Sequence, residues 1–197
     1  MNSRGRFAVS VLCVVVLSCC EEPVGMKRVD TEPCLYCFSD LIEAYEHPEL
    51  AQILAIRSDT SKALPEKLKS LPFLRGISWN TGYLMTVSSV IGNIPQLEYL
   101  FVENNKISNV SPEIRKATKL EMLDLHHNQL TDLPDEICEL YSLNYLNLSV
   151  NNISRLPDNI HKLWNLKTLY IKANPISKQE IERIRRALPN LKYFYHD

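Results

Sequence analysis

Little in this chain suits chemistry on a small substrate. Five glycines are spread through 197 residues, and none builds a glycine-rich loop able to cradle a phosphate. No nucleophile stands at a meaningful spacing from a base, and no stretch reads as a pocket former. An excess of one charge is also missing. The chain carries 22 Lys+Arg against 23 Asp+Glu, a net charge of −1, which points neither to nucleic acid nor to an acidic substrate. Cysteine is scarce: of 6 in the chain, only Cys138 lies beyond residue 37. Cys34 and Cys37 form C-L-Y-C, but no second pair completes a zinc site, and no strand-led βαβ setting makes a redox motif. They read as structural cysteines, with a local disulfide left open. No apolar run after the first 17 residues is long enough to cross a bilayer.

What the sequence does have is a period. Residues 97–165 fall into three blocks that open on Leu97, Leu120 and Leu143, 23 residues apart. Each block carries L-x-x-L-x-[LV]-x-x-N-x-[LI], and the pattern resembles the leucine-rich repeat family. The Leu-Pro step in the second half of the second and third blocks, at Leu133-Pro134 and Leu156-Pro157, is most similar to the Ras-suppressor-like class of repeats. The resemblance implies an α/β solenoid, a horseshoe with a parallel concave sheet and short helical or irregular convex segments. It further implies that Asn105, Asn128, Asn151 and Asn174 turn inward and bond backbone groups where the chain leaves each strand. An amide suits that role because it donates and accepts at once. No repeat can bury its own leucines, so each needs a neighbour. The spacing Leu133, Ile137, Leu140 predicts a short helical turn with one buried stripe, which places Cys138 among core residues as a buried thiol.

The period runs outward from this centre. Residues 51–73 keep Leu54, Ile56, Leu64, Leu68 and Leu71, with Asp59 in the asparagine place. Residues 74–96 keep Leu74, Ile77, Leu84 and Ile94, with Trp79 in a core-strand place and Gly82 in the asparagine place. A water or a neighbouring group must serve the turn at Gly82. This end is therefore expected to be the less stable one. Before it, residues 34–50 read as an N-terminal helical cap: Asp40 and Glu43 open a helix with Leu41, Ile42 and Tyr45 on one side, and His47-Pro48 ends it. After the centre, Ser177 and Glu180 form a capping box for a helix over Lys178–Leu188. Ile181, Ile184 and Leu188 share its inner face, and Arg183, Arg185 and Arg186 lie mostly outside. A last strand puts Leu191 and Phe194 inward. Residues 51–197 thus make the repeats with a C-terminal helix-strand cap.

The first 33 residues follow other rules. Arg4 and Arg6 precede the apolar Phe7–Leu17, the layout of a secretory signal. Val16-Leu17-Ser18-Cys19 resembles a bacterial lipobox, which makes 1–18 a lipoprotein-type signal peptide and Cys19 the lipidated residue. Glu21 and Glu22 resemble the surface-export signal of Bacteroidota lipoproteins; the alternative is an ordinary secretory signal with two incidental cysteines. Residues 19–33 read as a flexible tether. The repeats also lack the flanking cysteine clusters of most animal and plant extracellular members, which favours a bacterial source. The expected location is the outer membrane or cell surface, lipid-anchored, or else secreted or periplasmic.

Alternation along each strand assigns the concave face. One column is Ile53, Gly76, Tyr99, Met122, Tyr145, Thr168 and Tyr193. The next is Ala55, Ser78, Phe101, Asp124, Asn147, Tyr170 and Tyr195. A third holds Arg57, Asn80, Glu103, His126, Ser149, Lys172 and Asp197. The six aromatics, Tyr99, Phe101, Tyr145, Tyr170, Tyr193 and Tyr195, are expected on one exposed sheet. Aromatic patches mark interfaces, although cross-strand aromatic pairs also stabilise a sheet. The reading is a non-enzymatic protein-binding module with a lipid anchor, with glycan as the second ligand class and no cofactor or metal. Asp124 and His126, with Glu103 nearby, are the one cluster on which a metal-dependent hydrolase could be built. His127 is expected to point into the turn.

Overall fold

The computed structural model describes residues 27–28 and 36–196. The signal segment, Cys19 and Cys34 lie outside these residues, as does Asp197.

Among the described residues nine strands form one sheet in the order β1 (Lys27–Arg28), β2 (Tyr36–Phe38), β3 (Ala51–Arg57), β4 (Gly76–Asn80), β6 (Tyr99–Phe101), β8 (Met122–Asp124), β9 (Tyr145–Asn147), β10 (Thr168–Tyr170) and β11 (Tyr193–Tyr195). From β2 onward every neighbour pairs in parallel, while β1 runs antiparallel to β2. Two strands thus precede the first repeat: β1 falls in the expected tether, and β2 falls in a cap expected to be helical only. A second, two-stranded sheet joins β5 (Thr86–Val87) to β7 (Asn109–Val110). The fold is a leucine-rich repeat solenoid.

On the convex side 3-10 turns recur at Glu66–Ser70, Ser89–Asn93, Pro112–Lys116, Asp135–Glu139 and Asp158–Lys162, a step of 23 each time. The leucines and isoleucines of all repeats merge into one continuous core that runs from Ala44 to Leu188. The spacing is tight. A Cβ on Gly92 would overlap the carbonyl oxygen of Glu113 in the next turn, so the second and third convex turns approach as closely as they do because no side chain intervenes.

The asparagines tie each repeat to the one before. Asn128 Oδ1 accepts the N–H of Ile107 at 2.9 Å, and its Nδ2 donates to the carbonyls of Val102 and Leu125 at 3.0 Å. Asn105, Asn151 and Asn174 repeat the arrangement with Leu84, Leu130 and Ile153 as donors. At Gly82 the pattern breaks. The N–H of Ser61, which an asparagine there would serve, instead bonds Asp59 Oδ1 at 2.6 Å. A neighbouring carboxylate does the work, and Gly82 stays small because a Cβ would meet Asn105 Oδ1 at 2.9 Å.

The residue just before each asparagine place has a left-handed backbone: Ser58, Thr81, Asn104, His127, Val150 and Ala173, with φ between 52 and 59°. This geometry turns the chain off the strand, and it corrects the expectation for His127. Its side chain is exposed rather than tucked into the turn, and its Nδ1 lies 2.7 Å from Asn104 Oδ1.

Both caps differ in detail from the sequence reading. In α1 (Leu41–Glu46), Asp40 accepts from the N–H groups of Ile42 and Glu43. Ile42, however, is 69% exposed; Ala44, with Leu41 and Tyr45, makes the contact with the core. In α2 (Lys178–Ala187), Ser177 Oγ accepts from the Glu180 N–H. The Glu180 carboxylate does something else: it accepts the N–H of Leu156 at 3.0 Å and pairs with Arg183. Arg183 in turn donates to the Leu156 carbonyl at 2.7 Å. Arg183 is therefore not an outward arginine. Together the two side chains complete the backbone of the preceding repeat. Burial pushes the Glu180 carboxyl up, but the Arg183 and Leu156 bonds outweigh it and hold it below its usual range.

Candidate functional site

The concave face is the surface that parallel strands and short turns leave open, and its side chains follow the register. Tyr99 pairs with Met122 and Met122 with Tyr145, while Phe101 pairs with Asp124 and Asp124 with Asn147. Side chains on adjacent strands about 4.8 Å apart must touch, and on a concave surface they converge. The centre is accordingly filled. Phe101 is 9%, Met122 3% and Asp124 7% exposed, against the expectation that all six aromatics would stand in solvent. Ile53, Ala55, Ser78 and Ser149 are buried as well. Tyr99, Glu103, His126, Tyr145, Asn147 and Tyr170 are half-buried, and Lys172, Tyr193 and Tyr195 are exposed.

The tyrosines converge at the C-terminal end. The rings of Tyr145 and Tyr170 lie 5.7 Å apart and tilted. Tyr170 and Tyr195 stack at 4.3 Å, 5° from parallel, and Tyr193 lies 6.5 Å beyond in nearly the same orientation. Such rings present large, rigid contact area with few rotatable bonds.

At the centre Asp124 organises a polar network. One carboxylate oxygen accepts the His126 N–H at 2.9 Å; the other accepts from Asn147 Nδ2 at 3.0 Å and Tyr145 Oη at 3.3 Å. Burial pushes the Asp124 carboxyl up, and these donors work against it. Glu103 is likewise raised, by burial and then by the nearby Asp124; it accepts from Asn80 Nδ2 at 3.2 Å. Burial, then Glu98 and Glu121, push the Tyr99 hydroxyl up to about 12. Burial and Asp124 raise Tyr145 too. None of these phenols is a base near neutrality. The Asp124 carboxylate, on which a hydrolase would be built, is engaged by three donors. Among the described residues no group of three or more His, Cys, Asp or Glu could hold a metal ion. Cys138 is buried, and desolvation raises its thiol to about 12, so it is no ready nucleophile.

Two rows went unread in the sequence. One lies a residue before each strand, where Arg75 clasps Glu98 through two bonds of 3.1 and 2.7 Å and Glu121, Asn144 and Lys167 follow. Stepping the period back by one position would have found it. The other lies on the strand-entry edge, where Tyr141 and Trp164 occupy equivalent places in adjacent repeats. Trp164 is 63% exposed, and the carbonyls of both residues accept from asparagines one repeat on.

The geometry has counterparts in solved structures. A leucine-rich repeat protein of Leptospira interrogans superposes with TM-score 0.64 at 19% identity, over 81% of this chain and 58% of that one. An internalin of Listeria monocytogenes superposes with TM-score 0.56 at 19% identity, over 81% and 53%. The leucine-rich repeat domain of the type III effector XopL superposes with TM-score 0.68 at 25% identity, over 79% and 55%. The chain thus spans little more than half the length of each. No curated protein matches it. A family profile described as a leucine-rich repeat region matches residues 85–194, more than half of the chain and the same stretch in which the asparagines link turn to turn, and this protein is a member of the leucine-rich repeat family.

Proposed function

We propose that the chain is a non-enzymatic protein-binding module of the bacterial envelope, lipid-anchored through Cys19, that holds its partner against the tyrosine end of the concave face. The observation that carries this reading is the run of Tyr145, Tyr170 and Tyr195, with ring separations of 5.7 and 4.3 Å, ending in exposed rings. Inward leucines and asparagines hold the repeats together without rings as exposed as Tyr193 and Tyr195, whereas rigid aromatics are the usual anchors of interfaces. The repeats fit the 23-residue Leu-Pro class, and Val16-Leu17-Ser18-Cys19 with Glu21 and Glu22 fits a Bacteroidota surface lipoprotein.

The test is a pull-down from the native envelope with the full chain and with Tyr145→Ala/Tyr170→Ala. The variant is expected to lose the specific partners; an unchanged set would refute the reading. For the anchor, mass spectrometry of the mature N-terminus is expected to show acylated Cys19, and Cys19→Ala to release the protein from membranes. Tyr193 and Tyr195 are exposed and their ring planes lie 11° from parallel; exposed aromatic rings also suit a sugar ring, so a glycan array is the companion measurement.

A further inference from the structure

The concave face is sorted by charge. Around Met122 stand three carboxylates that form no ion pair among the described residues: Glu121 just before it, which Asn144 bonds and Arg75 influences only at a distance, Asp124 on the same strand and Glu103 on the neighbouring one. Glu98 is different, because Arg75 clasps it. Among the described residues Glu103 and Asp124 bond neutral donors, Asn80 in one case and Tyr145, Asn147 and a backbone N–H in the other. Arg57 and His126 are near enough for Glu103 to feel them but form no ion pair with it. Tyr99 and Tyr145 flank this spot one strand to either side.

The last two strands carry the opposite sign. Lys167 and Lys172 bracket β10, and Lys192 precedes β11; among the described residues no carboxylate stands within ion-pair distance of any of them. A half-buried carboxylate without a counter-cation loses hydration and gains little in return. A face that keeps three carboxylates at its centre, and toward its C-terminal end lysines with no carboxylate partner among the described residues, is complementary to a ligand bearing both signs in a fixed order.

We infer that this face selects a polypeptide segment whose basic side chain seats over Met122 between Tyr99 and Tyr145, and whose acidic side chain lies over the lysines of β10 and β11. A cation there meets two aromatic rings as well as the carboxylates. Two to three strand spacings of about 4.8 Å separate the two ends, so the two charges sit about three to four extended residues apart. The inference rests on the protein-binding reading above and narrows its partner from any aromatic-seeking ligand to a zwitterionic peptide, which a neutral glycan cannot imitate.

The experiment is selection of a random peptide display library on the full mature chain. Three variants run in parallel: Glu103→Lys/Glu121→Lys, Lys167→Glu/Lys172→Glu, and Tyr145→Ala/Tyr170→Ala. The wild type is expected to enrich peptides with a basic and an acidic residue at the stated spacing. Each charge-reversal pair should weaken a selected peptide by about tenfold or more, and added salt should weaken it as well. All four reversals combined should enrich peptides of opposite charge order. Peptides that depend on the tyrosines but keep the same charge content on every charge variant would overturn this inference and leave the binding reading standing. A library that enriches nothing over the tyrosine variant would overturn both. Circular dichroism of each variant establishes that the repeats remain folded.

Discussion

Single residues decide how well each turn closes. Asn128 satisfies one buried N–H and several carbonyls from the inside of the solenoid. Replacing it by alanine strands those groups, at about 1–3 kcal/mol for each one left unpaired. Asn128→Ala is therefore expected to lower the urea midpoint more than Asn174→Ala, because Asn174 is only half-buried and water can substitute for it. Val150 is the opposite case. It holds φ at 56°, a conformation that β-branched residues resist, and the equivalent Asn104 tolerates the same angle. Val150→Asn is expected to stabilise the fold by about 1 kcal/mol in the same urea measurement. The face carboxylates supply a pH signature. Burial raises Asp124, Glu103 and Glu121 in the folded chain, so the native state binds protons more readily than the unfolded one. Stability from these groups should rise as pH falls from neutrality toward the ordinary carboxylate range. Asp124→Asn should flatten that rise in denaturation curves taken across the window. The raised carboxylates could not be read from the sequence. Alternation says which way Asp124, Phe101 and Met122 point, but not that Tyr145, Asn147 and Tyr99 would close over them.

Elements depend on how closely they approach. The 3-10 turns at Ser89–Asn93 and Pro112–Lys116 pack with only Gly92 between them. Gly92→Ala inserts a methyl where the Glu113 carbonyl already stands, and is expected to cost about 1–3 kcal/mol by urea denaturation. The strands were legible because their pattern is local: a leucine in, a side chain out, an asparagine to turn. Tyr99–Phe101, Met122–Asp124, Tyr145–Asn147 and Thr168–Tyr170 are strands that carry the first two outward columns alternation assigned, one residue earlier than the expected strand at Leu123–Asp124–Leu125. The caps were less legible because their contacts are not periodic. Ile42 looked like a core residue on a short helix, yet the core reaches only Ala44 and its partly buried neighbours. Arg183 looked solvated beside two other arginines, but the backbone of Leu156 needed a donor and an acceptor that no further repeat provides.

At the scale of the whole molecule, stability is a sum over neighbouring repeats, and the first repeats are expected to contribute least. Gly82 supplies no ladder bond, Asp59 serves its own turn, and the buried Trp79 indole N–H has no partner among the described residues. Amides of residues 51–96 are expected to exchange hydrogen faster than those of residues 97–165. Uniform protection over both spans would contradict the uneven ladder. The chain's 2 tryptophans report on opposite environments, Trp79 in the core and Trp164 at the rim. Acrylamide should quench only the emission that Trp164→Phe removes.

The bonds by which Asn105, Asn128, Asn151 and Asn174 join one repeat to another reach backward, to residues 21 and 26 positions earlier. A chain leaves the ribosome from its N-terminus. Each newly emerged turn therefore has to wait, with polar groups unmet, until about 20 more residues have been translated and the amide that completes it arrives. Translation pauses placed one repeat after a turn should favour native assembly, while pauses placed directly after it should leave a half-finished edge open to chaperones and proteases.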